Sequence, residues 1–145
     1  MSIATWSAEF YPVGACDCPA DEAIAHSLRK WIGLRVTNLE RHGLKSNDEY
    51  CIADADGGDL RIGANSCALC ERYYDDGRDR DPDDETNPCR FCPLAISRGG
   101  IACDDEADNE SRSPWARWTD QGNPEPMIAA LEKALADATN RKDEQ

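Results

Sequence analysis

The sequence has few of the residues that build a large apolar core. It contains only two phenylalanines, aromatic residues make up 7% of the chain, and 31% of the residues are charged. No stretch approaches the roughly 18–20 apolar residues of a membrane-spanning helix, and the N-terminus lacks the basic and apolar regions of a signal peptide. A chain of 145 residues with this composition is expected to form a single domain, 1–145, with a small core, in a reducing cytoplasm.

Basic residues are also scarce. The chain has 16 Lys and Arg against 29 Asp and Glu, and the segment 51–110 alone carries a net charge of −10 out of −13. This balance argues against direct binding to DNA or RNA, because affinity for phosphates depends on Lys and Arg. An acidic surface suits a basic partner protein and could imitate the phosphate backbone, although acidic loops also serve solubility alone.

The motifs of the common enzyme classes are missing. The sequence has no Gly-rich phosphate loop and no nucleophile with an evident His and acid partner. The deaminase signature H-x-E…P-C-x-x-C matches only in its second half, at 88–92, since neither His26 nor His42 has Glu at the required place. We therefore expect a protein that is not an enzyme.

Cysteine, in contrast, is abundant, with eight residues. Cys67-Ala-Leu-Cys70 and Cys89-Arg-Phe-Cys92 form two Cys-x-x-Cys turns with 18 residues between them. Each turn directs two thiolates to one point, and a loop of roughly 15–20 residues lets both turns bind one tetrahedral ion. In a reducing cytoplasm such pairs are metal ligands more often than disulfides. We predict Zn²⁺ at these four cysteines, a closed site without an open position for catalysis.

Other assignments of the cysteines stay open. Cys103 could replace one member of the second pair, and iron, as a single ion or a cluster, could use the same sulfurs. An even number of cysteines is compatible with disulfides, whereas a redox Cys-x-x-Cys is disfavoured because no βαβ unit is visible. A second metal site would combine Cys16, Cys18 and Cys51 with His26 or His42, although both histidines are better interpreted as helix-surface or capping residues.

The N-terminal half is predicted to contain one main helix. Residues 1–19 are expected to be irregular, because Pro12, Gly14 and Pro19 interrupt them. A helical segment is predicted over 20–43, with an amphipathic helix over about 21–42 that ends at Gly43. Lys30 falls away from the apolar stripe of this helix.

The remaining chain divides into a zinc-binding acidic region, 46–110, and a C-terminal helical segment, 113–140. The first contains a turn between two short strands, 50–53 and 60–62, and one helical turn at 94–97. The second begins with Ser113 as cap and Pro114 at the first helical position, and continues with a helix over 125–140.

Two acidic runs, 75–86 and 104–110, are expected to be exposed. Within 75–85 the only apolar residues are Gly and Pro, so this stretch cannot fold inward. We predict that its carboxylates bind a partner. These residues are Asp75, Asp76, Asp79, Asp81, Asp83, Asp84 and Glu85.

The cysteine framework resembles that of small cysteine-rich zinc-knuckle proteins of bacteriophages and prophages. The resemblance rests on 65–74, with Cys67-Ala-Leu-Cys70, on 89–94, with Cys89-Arg-Phe-Cys92-Pro-Leu, and on 99–103, with Gly99 before Cys103. The segment from Ser113 to Leu131 is similar to their C-terminal helix, so the likeness covers roughly 20–135. It implies a structural metal and a phage setting but no reaction, since most such proteins have no known activity.

Together these features predict a small α+β or mostly α fold, in which two amphipathic helices pack beside a zinc-knuckle or zinc-ribbon-like region of four cysteines with long acidic loops. The expected function is protein–protein binding to a basic host protein, such as inhibition of a host nucleic-acid-targeting defence in the manner of an anti-CRISPR protein. The alternative is a zinc-ribbon nucleic-acid-binding or transcription accessory protein, supported by five arginines near the cysteines. They are Arg72, Arg78, Arg80, Arg90 and Arg98.

Overall fold

The structure is a computed structural model that describes residues 2–46, 51–61, 67–73, 92–101, 103 and 113–143. Helices and one small antiparallel sheet make up this part of the chain, so the fold is of the small α+β type. The helices are α1 (Ile3–Phe10), α2 (Ala23–Gly33), α3 (Val36–Arg41), α4 (Ala68–Tyr73), α5 (Pro93–Ser97), α6 (Pro114–Gln121) and α7 (Glu125–Asp143). The strands are β1 (Leu44–Ser46), β2 (Cys51–Asp54) and β3 (Asp59–Arg61), and short 3-10 turns occupy Ala15–Asp17 and Ala20–Glu22.

The prediction of an irregular N-terminus is wrong for α1. Ser2 caps this helix in a capping box with Thr5, whose hydroxyl oxygen accepts from the Ser2 N–H at 3.0 Å. Trp6 is fully buried, and its indole N–H donates to the Gly33 carbonyl at 2.9 Å. The prolines and the glycine that suggested an irregular segment lie after Phe10, so they end the helix rather than prevent it.

The single helix predicted over 21–42 is divided into α2 and α3. Arg35 has an extended backbone, with ψ at 139°, and begins a new helical segment. The Asn38 side chain donates to the Ile32 carbonyl at 2.8 Å, and the same carbonyl accepts from the Arg35 N–H at 3.1 Å. Gly43, at φ 70°, follows α3 as predicted for a helix C-terminus.

The predicted hairpin is confirmed by β2 and β3, while β1 was not predicted. The three strands pair antiparallel in the order β1-β2-β3. The Asp54 carboxylate accepts from the backbone N–H of Gly58 at 2.8 Å and of Ile3 at 3.1 Å. This one side chain therefore closes the turn between β2 and β3 and anchors the start of α1 to the sheet.

Helices α2 and α7 form the centre of the core. Helix α2 packs against α1, α4 and α7, and α7 packs in turn against α5 and α6. Trp31 of α2 meets Trp118 of α6 edge to face, with ring centroids 5.3 Å apart. The predicted C-terminal helices are confirmed, and Ser113 caps α6 by accepting from the Ala116 N–H at 3.1 Å.

Candidate functional site: a cavity lined by four cysteines

Four cysteines from three parts of the chain line one small cavity, which we call the cysteine cavity. They are Cys67, Cys70, Cys92 and Cys103. The cavity has a volume of about 30 Å³, and its remaining walls come from α2, α4, α5 and α7, including Trp31, Leu69, Met127 and Leu131. Thiols thus converge in an otherwise mostly apolar part of the core.

The local structure explains how each cysteine reaches the cavity. Cys67 directly precedes α4 and Cys70 lies one turn later, while the intervening Ala68 and Leu69 are buried and fix the helix against the core. Cys92 is the residue before α5, whose first position is Pro93. The carbonyl of Cys103 accepts from the Trp115 N–H at 3.1 Å, which holds this residue against the start of α6.

A lysine is buried beside these thiols. Lys30 of α2 is only 1% exposed, and its Nζ lies 5.3 Å from the centroid of the Trp31 ring. Burial lowers the pKa of Lys30, and negative charge on the neighbouring cysteines opposes that shift. The cysteines whose charge acts on it are Cys67, Cys70 and Cys103. A buried ammonium needs such a negative partner, because removing an isolated charge from water is costly.

Hydrogen bonds differentiate the two cysteines of the first turn. The pKa of Cys67 lies well below its usual range, chiefly because Cys70 donates a hydrogen bond to it, with further support from Lys30 and Ser27. The Ser27 Oγ lies 3.5 Å from the Cys67 Sγ. The same hydrogen bond and burial raise the pKa of Cys70. One hydrogen bond between the two sulfurs of the first turn therefore shifts their pKa values in opposite directions.

The donor set of the cavity suits a soft metal ion, since thiolates are the preferred ligands of zinc and of iron–sulfur centres. The side chains as they stand, however, do not form a closed site. In the described ranges, no three or more His, Cys, Asp or Glu side chains are arranged so that they could hold a metal ion. The cavity gathers the ligands, and binding would require the thiols to turn inward.

Of the five cysteines predicted around the metal, the structure brings four to the cavity, and Cys89 lies outside the described residues. Cys103, the residue that sequence reasoning named as a replacement for one member of the second pair, stands among them. The predicted partner-binding carboxylates at positions 75–85 also lie outside the described residues.

The residues proposed for a second metal site have other neighbours. His42 is buried and contacts Glu9 at 2.8 Å and Thr5 at 3.0 Å, and His26 contacts the Val13 carbonyl at 2.6 Å. Both histidines thus join segments of the N-terminal region, in keeping with a structural role. The side chain of Cys16 lies outside the described part.

Sequence reasoning missed Lys30 and Ser27. The prediction that Lys30 falls away from the apolar stripe is wrong, because this residue is among the most buried of α2. Ser27, Lys30 and Trp31 follow the spacing i, i+3, i+4, which places them on one helix face. That spacing, with a tryptophan next to the lysine, was the available signal.

Among the described residues, no helix is long and apolar enough to cross a membrane. Comparison of the chain with known proteins gives no match to a protein family, to a curated protein or to a solved structure.

Proposed function

We propose that this chain is a non-enzymatic binding protein of phage type, stabilised by one structural Zn²⁺ ion, that acts in the cytoplasm by binding a basic host protein. The observation that carries the proposal is the convergence of four cysteines on one cavity of the core, next to a helix, α2, that carries a buried lysine. Four thiolates complete a tetrahedral zinc site and leave no position for a substrate or an activated water. Such a site stabilises a fold without performing chemistry.

A structural ion also suits the composition of the chain. Small domains with little apolar surface commonly gain the missing stability from metal ligation or disulfides. Here the cysteine cavity lies where α4 and α5 meet α2 and α7, so an ion bound there would join the segments at 67–70, 92 and 103 beside these two longer helices.

The binding role rests on charge. The segment 51–110 carries a net charge of −10, concentrated in two runs of carboxylates. Closely spaced carboxylates can imitate the phosphates of a nucleic acid and occupy the basic groove of a protein that binds one. An inhibitor of a nucleic-acid-targeting defence, such as an anti-CRISPR protein, is the class of function that this charge fits best.

The metal is tested first, by measuring zinc per chain on protein purified without chelator and recording thermal unfolding before and after chelation. We expect one zinc per chain and a large fall in the melting temperature on chelation, because binding free energy of a structural ion is folding free energy. Protein without bound metal, or with a melt that chelation leaves unchanged, would remove the structural-zinc proposal.

The partner is tested with a purified CRISPR effector complex, by measuring binding at rising salt and in competition with target DNA. We expect reversal of Asp83, Asp84 and Glu85 to Lys to weaken binding at least about tenfold, as for other charge-steered interfaces. The matched control reverses three exposed carboxylates elsewhere, Glu40, Asp56 and Asp59. Equal affinity of the two variants would refute the acidic-face mechanism, and a shift of DNA or RNA by the protein alone would favour the nucleic-acid-binding alternative.

A further inference from the structure

We propose that the ligands of the zinc ion are Cys67, Cys70, Cys92 and Cys103, and that Lys30 is the buried counter-charge of the site. This inference rests on the zinc binding proposed above and specifies its ligand set. It replaces the two-turn arrangement suggested by sequence spacing, in which Cys89 would be the fourth ligand.

The choice of Cys103 follows from the position of the thiols. Cys103 lines the cysteine cavity with both members of the first turn and with Cys92, and negative charge on Cys103 acts on Lys30 and on Cys70. Four thiolates fill the coordination sphere of a structural zinc, so no further cysteine is required.

The size of the cavity selects a single ion over a cluster. Its volume of about 30 Å³ is sufficient for about two or three water-sized groups, since one such group needs roughly 10–15 Å³. A cluster of four irons and four sulfides contains eight heavy atoms and would not fit without displacing core side chains such as Leu69 and Leu131, both of which are fully buried.

Binding of the ion requires the sulfurs to move from their present positions. The thiols are not in a ligating arrangement as they stand, and the Cys67 and Cys70 sulfurs are joined by a hydrogen bond. A cysteine side chain moves its sulfur by rotation about the single Cα–Cβ bond, between staggered positions. Zn²⁺ would take the place of the shared proton, and the thiols would release their protons to solvent.

Lys30 has a defined electrostatic role in this site. Zn²⁺ with four thiolates carries a net charge of −2, and a buried charge is costly unless a group of opposite sign compensates it. Lys30 is buried to 1% exposure on the face of α2 that also carries Ser27, whose Oγ lies 3.5 Å from the Cys67 Sγ, and Trp31, which lines the cavity. It lowers the net charge of the buried assembly to −1 and thereby favours the metal-bound state.

The ligand set is tested on the unaltered full-length protein by alkylation with iodoacetamide, read at each cysteine by peptide mass spectrometry. With zinc bound, the four proposed ligands should be protected and Cys89 should react, and chelation should make the four reactive. Protection of Cys89 by zinc, together with a zinc-independent reaction of Cys103, would overturn the proposed set.

Matched variants give a second measurement. Cys103→Ser should lose the Co²⁺ absorption bands of a tetrathiolate site, while Cys89→Ser should retain them and bind one zinc per chain. The opposite pattern would overturn the set. If the unaltered protein holds no metal, the proposed function itself fails. If it holds zinc and Cys103→Ser retains the tetrathiolate bands, only this inference fails.

Lys30 is tested by replacing its charge. Lys30→Met should weaken Zn²⁺ binding about 10- to 100-fold in competition with a chromophoric chelator, the range found for groups that support metal ligands from outside the first shell. Lys30→Arg keeps the charge and should bind zinc more tightly than Lys30→Met, and Lys45→Met, at an exposed position, should match the unaltered protein. Equal zinc affinity of Lys30→Met and the unaltered protein would overturn the counter-charge role.

Discussion

A single glycine, Gly33, positions α1 against α2, and Gly33→Ala is predicted to destabilise the protein. A β-carbon at this position would lie 2.5 Å from Cγ, 2.7 Å from Cβ and 2.8 Å from Cδ2 of Phe10. Non-bonded carbons prefer separations of about 3.5–4.0 Å. The clash involves the rigid part of a buried ring rather than a flexible tip, so α1 itself must move.

Two effects of opposite sign decide the magnitude. Alanine is favoured over glycine inside a helix by about 1 kcal/mol, although Gly33 is the last residue of α2 and gains less. Overpacking a core costs about 1–3 kcal/mol, and a shift of α1 also strains the hydrogen bond from Trp6 to the Gly33 carbonyl, worth about 1 kcal/mol. We expect a net loss of about 1–3 kcal/mol, which lowers the melting temperature by roughly 2–4 °C per kcal/mol.

The assay is urea unfolding followed by far-UV circular dichroism, at fixed zinc. Gly14→Ala is the matched control, since its β-carbon would meet only Asp17 Oδ2 at 3.6 Å and the backbone is ordinary for alanine. This variant should be neutral or more stable by about 0.4–1 kcal/mol. The reasoning is refuted if Gly33→Ala is as stable as the unaltered protein, because α1 would then not contact α2 as described.

Two further predictions concern a cap and a carboxylate. Ser113→Ala should cost about 0.5–2 kcal/mol in thermal unfolding, because the Ala116 N–H loses its acceptor, and an unchanged melt would contradict this cap. The pKa of Asp54 is lowered because the N–H groups of Ile3 and Gly58 donate to its carboxylate. Its folded pKa lies below the unfolded one, so its contribution to stability is present above about pH 4 and is lost as the pH falls through the folded pKa. Asp54→Asn should therefore flatten the acid side of the stability curve, and NMR titration of the carboxyl group checks the direction; an unshifted pKa would contradict it.

The elements that the sequence predicted carry strong local signals. Ser113-Pro114 fixes the start of α6 by a cap and a proline, and the turn rich in Asp and Gly at 54–59 predicts the strands on either side of it, β2 and β3. Helix α1 was missed because its capping box uses Thr5 instead of Glu or Gln. In addition, Pro12 predicts an irregular backbone, which is found only after the helix has ended. The break at Arg35 is accompanied by a hydrogen bond from the Asn38 side chain to the Ile32 carbonyl, an interaction that apolar periodicity does not report.

The sequence predicted which kind of residue forms the candidate site, but not which distant cysteines come together there. Spacing identified Cys67 and Cys70 as one turn, because residues three apart in a helical turn are neighbours in space. Spacing does not establish which distant cysteines reach that turn, since this depends on how α5 and the residue at 103 pack on the core. The burial of Lys30 was signalled only by its spacing from Ser27 and Trp31, because the neighbours that cover a helix face depend on tertiary packing.

The packing of α2 against α7 has a consequence for synthesis of the chain. Helix α2 ends at Gly33 and α7 begins at Glu125. At translation rates of about 5–20 residues per second, roughly 5–18 s therefore pass between the synthesis of α2 and the start of α7. Until then the side of α2 that carries Trp31 lacks the Met127 and Leu131 side chains with which it lines the cavity. We expect the nascent chain to depend on chaperones during this interval, and a ribosome-bound chain stalled before residue 125 to remain sensitive to proteases.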